Sequence, residues 1–378
     1  MRRSALSDSW KEALFLERPN RFTLMLRSGK DVIAAYLPNT GRLEEYLVKD
    51  HPFYVIPSRS PKFRFRVVST LYQGSYVLLD TIEMNNLAEH LIRGGLIQGL
   101  SDVTSVVRER TMGRSRFDFV VERRTLKPLI IEVKTCTLSH NGVAMFPDAP
   151  TERARSHIEH MAGLQRGGYD AAMFFIIPNA STRRFLPNVH TDPDFYRTMK
   201  GNRRIQFRAF RVGMTDPVSV QLDSAEEIPV RLDLLDGMDL NRGTYLLIME
   251  NPLDKRVKVG ALGDVDFPRG YYAYVGSGMG SLESRVRRHF RTRKKRFWHI
   301  DYVTPHHLKP IRQYLIRRAD RIESALAVAL SDIASRCIRG FGSTDSSAAS
   351  HLFHFDHAPF RDRRFMDLLL SYRTMTET

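Results

Sequence analysis

The chain has 378 residues, 42% hydrophobic and 26% charged, an ordinary globular composition with room for two or three domains. Its 58 Lys and Arg against 42 Asp and Glu leave a formal charge of +16. That balance points to a polyanionic partner, nucleic acid foremost, with a merely solubilising surface as the plainer alternative. Two widely separated cysteines exclude a disulfide framework and a Cys-x-x-Cys metal site. The first ten residues lack the apolar core of a signal peptide, and the longest apolar run, 171–177, is too short to span a membrane. A cytoplasmic protein with no membrane partner is expected.

Residues 10–80 alternate in the manner of short strands: Phe22-Thr-Leu-Met-Leu, Asp31-Val-Ile-Ala-Ala-Tyr, Phe53-Tyr-Val-Ile, Phe63-Arg-Phe-Arg-Val-Val and Tyr76-Val-Leu-Leu. Turn signals at Ser28-Gly29-Lys30 and Gln73-Gly74-Ser75 separate them, and the spacing predicts a small β-barrel. Lys62-Phe63-Arg64-Phe65-Arg66 places basic and aromatic side chains on opposite faces. It reads as a half-buried strand with a solvated outer face, or as a strand facing nucleic acid.

Residues 81–225 mix element types. Apolar spacing predicts a helix over 86–96, stopped at Gly94-Gly95. Strands follow at 114–121 and 129–136, joined by a turn. A helix opens at Pro150-Thr151-Glu152-Arg153, with Thr151 as its cap, and ends at Gly167-Gly168. The apolar strand 171–177 completes an α/β layer with a mixed sheet. Residues 222–241 are acidic and loop-like. Beyond them come a strand from Gly243, a strand over 271–275 and a basic helix over 282–289. Helical patterns cover 308–319 and 321–336, and a basic tail closes the chain. The domain reading is a barrel over 1–80, an α/β domain over 81–225, a linker over 226–241, a further α/β domain over 242–360 and a tail over 361–378.

The chemistry concentrates first on Asp118, Glu132 and Lys134. Side chains alternate along a strand, so Glu132 and Lys134 point the same way, and a hairpin brings Asp118 to them. Charged residues inside apolar strands are costly unless paired or bound to a metal. Two carboxylates for Mg²⁺ or Mn²⁺ and an ammonium for developing charge are the minimum for metal-dependent phosphodiester hydrolysis. A structural Asp–Lys ion pair is the competing reading. Glu89, on the preceding helix, is a weaker candidate for a further carboxylate, with a solvated helix face as the alternative.

Four segments carry a resemblance: Leu-Pro-Asn-Thr-Gly-Arg (37–42), Gly-Arg-Ser-Arg-Phe-Asp-Phe (113–119), Ile-Glu-Val-Lys-Thr (131–135) and Phe-Pro-Asp-Ala-Pro-Thr-Glu-Arg (146–153). In that order they resemble the sugar fermentation stimulation (SfsA) family over about the first 210 residues. The resemblance implies an N-terminal OB-like barrel followed by a PD-(D/E)XK nuclease-like domain, DNA binding, and a regulatory link to sugar metabolism. In that frame Asp118 and Glu132 are metal ligands and Lys134 stabilises charge. Arg153 and His157, four apart on one helix face, would grip a phosphate. Arg42 would reach the phosphate backbone or serve as a surface turn residue.

Residues 243–357 resemble a divergent GIY-YIG domain through Gly243-Thr-Tyr245, Tyr274-Val-Gly276-Ser, Ser284-Arg285-Val-Arg-Arg-His289, Trp298-His-Ile-Asp301-Tyr and Gly340-Phe-Gly-Ser-Thr-Asp345. The implied catalytic set is Tyr245, Tyr274, Arg285 and Glu323. Tyr245 would act as general base, Arg285 would stabilise the phosphate, and Glu323 would be the single metal ligand. His289 and His299 are expected near that site, and Trp298 and Tyr302 in the core. Relatives in this branch often carry cysteines after Gly-Phe-Gly-Ser, where this chain has Ser346-Ser347-Ala348. Residues 285–296 hold eight basic residues and no acid. Arg287, Arg288, Arg291, Lys294 and Lys295 of that block are expected to track a phosphate backbone, giving affinity without sequence readout.

These features predict a multidomain α/β and α+β protein that binds nucleic acid, DNA foremost, as a metal-dependent nuclease. The competing function is a DNA-binding regulator without turnover. An RNA-processing enzyme is a third reading.

Overall fold

In the computed structural model, which describes residues 3–343 and 347–374, the chain divides after Leu235 into two units. The first begins with strands β1 (Arg3–Ala5), β2 (Lys11–Asn20), β3 (Thr23–Ser28), β4 (Asp31–Tyr36), β5 (Pro52–Pro57), β6 (Phe65–Tyr72) and β7 (Ser75–Leu78). Strands β2–β7 form one sheet in the order β4-β3-β2-β5-β6-β7, and a parallel pairing of β4 with β6 closes it into the OB barrel. Alternate residues fill the interior: Ala13 and Phe15, Leu24 and Leu26, Phe53 and Val55 are all buried. Of the basic-aromatic run, Lys62 and Phe63 precede β6. Arg66 turns to the buried carboxylate of Asp80, 3.3 Å away.

Asp80 also caps helix α1 (Thr81–Arg93), accepting from Ile82 N–H at 3.1 Å. The helix starts five residues earlier than its apolar spacing alone predicts, because the cap lies at the barrel's exit. Then follow β8 (Val103–Met112), β9 (Ser115–Arg123), β10 (Leu129–Thr135), β11 (Ser139–His140), β12 (Val143–Phe146), α2 (Glu152–Arg166), β13 (Asp170–Ile177), β14 (Arg184–Pro187), α3 (Pro193–Gly201), β15 (Gln206–Asp216) and β16 (Ser219–Ile228). The main sheet is mixed, in the order β1-β16-β15-β13-β10-β9-β8, with β10, β13 and β15 parallel. Leu129, Ile131 and Val133 of β10 pack with α1, while Ile130 packs on the other face with Ala154, Ile158 and Met161 of α2. Glu132 and Lys134 share Ile130's parity, so both project toward the α2 side.

The acidic stretch 222–241 is not simply a loop. Strand β16 runs through Ile228, and Glu226 and Glu227 pair across the ladder with Arg211 and Arg208 of β15. Cross-strand ion pairing lets acids sit in a strand that composition alone assigns to a linker.

The second unit contains β17 (Gly243–Asn251), β18 (Lys255–Lys258), β19 (Asp264–Phe267), β20 (Gly270–Gly278), α4 (Leu282–His289), α5 (His299–Val303), β21 (Lys309–Arg317), α6 (Glu323–Ser331), β22 (Arg336–Cys337), β23 (Leu352–Phe355) and α7 (Arg363–Thr374). Its five-stranded antiparallel sheet has the order β21-β17-β20-β23-β22. The helical expectation over 308–319 is overturned by β21, which pairs with β17. Leu308, Ile311 and Leu315 mimic helical spacing, but Pro310 suits an edge strand and not a helix interior. The segment read as a basic tail holds α7, whose Phe365, Met366, Leu369 and Leu370 are buried. Thr344, Asp345 and Ser346, part of the expected motif and of the cysteine-replacing positions, lie outside the described residues. Among the described residues both cysteines are free thiols, and no helix is long and apolar enough to cross a membrane.

Gly276 of β20 sits opposite Tyr245 of β17, and a methyl group there would overlap the Tyr245 ring. The glycine is therefore a packing requirement of the buried tyrosine. Gly276→Ala should destabilise the unit by about 1–3 kcal/mol through overpacking, read as a lower denaturant midpoint. An unchanged midpoint would show that the ring relocates freely.

Candidate phosphodiester sites

In the first unit the β9–β10 ladder is paired as far as Phe119 with Ile131. One step on, the Asp118 side chain takes over: its Oδ2 accepts the Val133 N–H at 2.7 Å, and its Oδ1 accepts from Asn85 of α1 at 3.3 Å. Glu132 is buried, and its Oε1 receives the Lys134 ammonium and His157 Nδ1, the latter at 2.6 Å. Glu132 Oε2 is buried with no hydrogen-bond partner. Burial pushes the Asp118 carboxyl above its ordinary value, and the neighbouring Glu132 adds to the rise. Burial acts likewise on Glu132, but His157 and Lys134 outweigh it and hold that carboxyl below its usual range.

Asp118, Glu132 and Lys134 line a cleft of about 450 Å³ with Asn85, Asp148 and Arg153. Asn39, Thr40 and Gly41 complete it from the Pro-Asn-Thr-Gly-Arg turn, which Arg18 clamps through the carbonyls of Gly41, Arg42 and Asn39. The Arg42 N–H donates to the half-buried Asp148 carboxylate, while the Arg42 side chain is exposed. Sequence reasoning missed Asn85, and it missed Asp148's place in the cleft wall. Residue 85 lies one helical turn before Glu89, the carboxylate expected there. Glu89 instead bonds Arg93 and Arg108, each at 2.8 Å. His157 does not grip a phosphate; it is buried behind Glu132. Arg153 is exposed at the cleft. Among the described residues no group of three His, Cys, Asp or Glu is clustered as a ready cation site.

In the second unit the expected residues meet near the end of β20. Tyr245 and Tyr274 are buried with ring centroids 6.2 Å apart, and Tyr245 Oη lies 2.7 Å from His289 Nε2. Glu323 accepts from Ser277 Oγ and lies 3.2 Å from His351 Nδ1. Burial raises Glu323, but His351 and Ser277, with the Arg285 charge, bring its carboxyl below the ordinary value. Burial drives the Tyr245 phenol well above its usual range, with Tyr274 adding to the rise and Arg285 opposing it. Burial beside Lys294 depresses His289 to about 3. The imidazole is thus neutral and can accept a hydrogen bond from the Tyr245 hydroxyl. Both shifts oppose transfer of the Tyr245 proton to His289, against the expected general-base role. His299 is turned to Gly342, accepting its N–H at 3.0 Å.

The basic block divides in two. Arg288 pairs with buried Asp301 at 2.6 Å, and Lys294 turns inward to Thr304 Oγ1 at 2.7 Å. These two are structural, contrary to the expectation that they face phosphate. A solvated cation run and an inward ion pair look alike in a string of Arg and Lys. Arg287, Arg291 and Lys295 are exposed. Trp298 is half-buried under two guanidinium groups, Arg285 at 4.1 Å and Arg288 at 4.5 Å. Burial, against the pull of Asp301, lowers the Lys294 ammonium from 10.5 to about 8. The unfolded chain therefore binds the extra proton between those values, and stability from this group rises with pH. The wild-type advantage over Lys294→Met should grow from about pH 8 to pH 10.5; a flat difference in chemical denaturation would contradict the assignment.

Three family models match successive parts of the chain. Residues 16–79 match the SfsA N-terminal OB domain, and residues 83–216 the sugar fermentation stimulation protein RE domain. Residues 244–372 match a domain of unknown function, DUF123, which is GIY-YIG-like. The sugar fermentation stimulation protein homolog of Clostridium tetani is 32% identical over 187 residues, covering 49% of this chain and 81% of that protein. The homolog of Moorella thermoacetica is 33% identical over 216 residues, covering 56% and 93%. The structure of Pyrococcus furiosus SfsA in complex with Ca²⁺ is 26% identical with a TM-score of 0.55, covering 60% of this chain and 99% of that one. With its barrel, its mixed-sheet domain and relatives matched over most of their length, the chain belongs to the sugar fermentation stimulation protein family.

Proposed function

We propose that the protein is a divalent-metal-dependent nuclease of the cytoplasm, acting on nucleic acid and foremost on DNA. The observation that carries this reading is the buried, unpartnered Glu132 Oε2 beside Asp118 in one cleft with Lys134. A buried carboxylate oxygen without a donor is costly unless something positive completes it. Asp118 and Glu132 would hold Mg²⁺ or Mn²⁺, which when bound supplies Lewis-acid polarisation and a water of lowered pKa. That the Pyrococcus furiosus relative forms a complex with Ca²⁺ supports divalent-cation binding as a property to test in this chain.

The chain's own groups do the rest. His157 holds Glu132 Oε1 from behind, so the carboxylate stays charged and fixed in the cleft. The Val133 N–H and Asn85 fix Asp118 in the same way. Lys134, already at the cleft, carries the positive charge that an incoming phosphodiester requires. Arg153 at the opening would pair with a backbone phosphate. In the second unit, Arg285 would hold the phosphate, Glu323 a second cation, and Tyr245, hydrogen-bonded to His289, would orient the attacking water.

A second reading, a DNA-binding regulator linked to sugar metabolism, is favoured by one observation: among the described residues no three of His, Cys, Asp and Glu are arranged to hold a metal ion. Cleavage assays separate the two. The full chain should cut at least one of single-stranded, duplex or branched DNA, or RNA, in Mg²⁺ or Mn²⁺ and not in EDTA. Glu132→Ala should reduce cutting by about 100-fold or more with binding unchanged. Activity that survives in Glu132→Ala but vanishes with Glu323→Ala would place hydrolysis in the second unit. Tight, salt-sensitive binding without cutting would establish the regulator.

A further inference from the structure

Phe297 and Phe290 are left open to solvent on the second unit, 75% and 44% exposed. Single exposed aromatics are unremarkable on a protein surface, but these two flank Arg291, Arg293, Lys295 and Arg296, all exposed. The segment 290–298 is not a loose arm either. Asp301 Oδ2 accepts the N–H groups of Phe297 and Trp298, each at 3.0 Å. Arg288, paired with the same Asp301, also donates to Lys295 O at 2.6 Å. Lys294 anchors the segment from inside through Thr304. Two cations and one buried carboxylate thus fix the loop and leave the remaining cations and Phe297 outside.

Contacts lead from this loop to the proposed reaction site. The Phe297 ring meets Trp298 edge-on at 5.4 Å, and Trp298 lies under the Arg285 guanidinium at 4.1 Å. Arg285 in turn lies within the electrostatic reach of Tyr245 and Glu323. A strand resting on Phe297 would therefore run close to those groups.

We propose that the 290–298 loop is a docking platform for an unpaired nucleic-acid strand, with a base stacked on Phe297 and the flanking phosphates held by Arg291, Arg293 and Lys295. Every base has a π face, so such a platform tolerates any sequence. Bases within a duplex are already stacked on each other and gain little from it. The inference rests on the nucleic-acid reading of this protein and narrows it to single-stranded or locally opened substrate at the second unit. An anionic lipid surface would also suit cations and aromatics, but the link through Trp298 to Arg285 favours nucleic acid.

The chain has two tryptophans, Trp10 and Trp298, so Trp10→Phe leaves Trp298 as a local reporter. The full-length Trp10→Phe protein is titrated with a single-stranded DNA oligonucleotide, its duplex and phosphatidylserine vesicles, while anisotropy follows total binding. Single strands should quench Trp298 at lower concentration than duplex. Adding Phe297→Ala should weaken that quench about tenfold without changing the melting temperature. Arg291→Gln should reduce its salt dependence. Nucleic acid that binds by anisotropy but leaves Trp298 unperturbed, or equal responses to strand and duplex that Phe297→Ala does not alter, would overturn the inference alone. Quenching by vesicles only would replace it with a membrane contact. No nucleic-acid binding by either readout would overturn the nucleic-acid reading as well.

Discussion

One hydrogen bond organises the first site: the Val133 N–H to the Asp118 carboxylate. It forms where the β9–β10 ladder ends, so a side chain substitutes for the carbonyl the next ladder step would provide. The substitution fixes Asp118 against the strand that carries Glu132 and Lys134. It also accounts for a half-buried acid in an apolar strand, since the carboxylate satisfies a main-chain donor that would otherwise be orphaned. Glu132 is then held by Lys134 and His157 on one oxygen only. The asymmetry leaves its second oxygen as the unsatisfied group of the cleft.

The basic charge of the chain is less free than its total suggests. Arg66 supports the helix-capping Asp80, Arg208 and Arg211 stitch β15 to β16, and Arg155 is held by buried Asp192 at 2.7 Å. Arg288 and Lys294 serve Asp301 and Thr304. What is left for a polyanion is a smaller set, including Arg153 at the first cleft and Arg287, Arg291, Arg293 and Lys295 around α4. Affinity arising from these few contacts would be salt-sensitive and indifferent to sequence.

Much of this was legible beforehand, for physical reasons. Helix α2 is legible through the Thr151 cap and Gly167-Gly168, and α4 as a basic helix over 282–289. Asp118, Glu132 and Lys134 stood out because charge in an apolar strand is expensive. Gly276 was legible as part of a motif, but its reason, the Tyr245 ring against it, needed the register of β17 and β20. Illegible features share a cause: they depend on partners distant in sequence. Nothing local tells that Glu226 and Glu227 lie across a ladder from arginines, that Asn85 and not Glu89 faces Asp118, or that His157 stands behind Glu132. Strand β21 was misread because three apolar residues at helical spacing can equally line one side of an irregular edge strand.

The central claim is that the Asp118 and Glu132 carboxylates together form a cation site. Calorimetric titration of the full chain with Mn²⁺, wild type against Asp118→Asn, tests it most directly. Asparagine preserves the shape and the acceptor for Val133 N–H while removing the charge, so the fold should be retained. The account predicts that one class of Mn²⁺ site present in the wild type disappears in Asp118→Asn. Identical stoichiometry and affinity in the two proteins would contradict it and leave Asp118 as a strand-end cap.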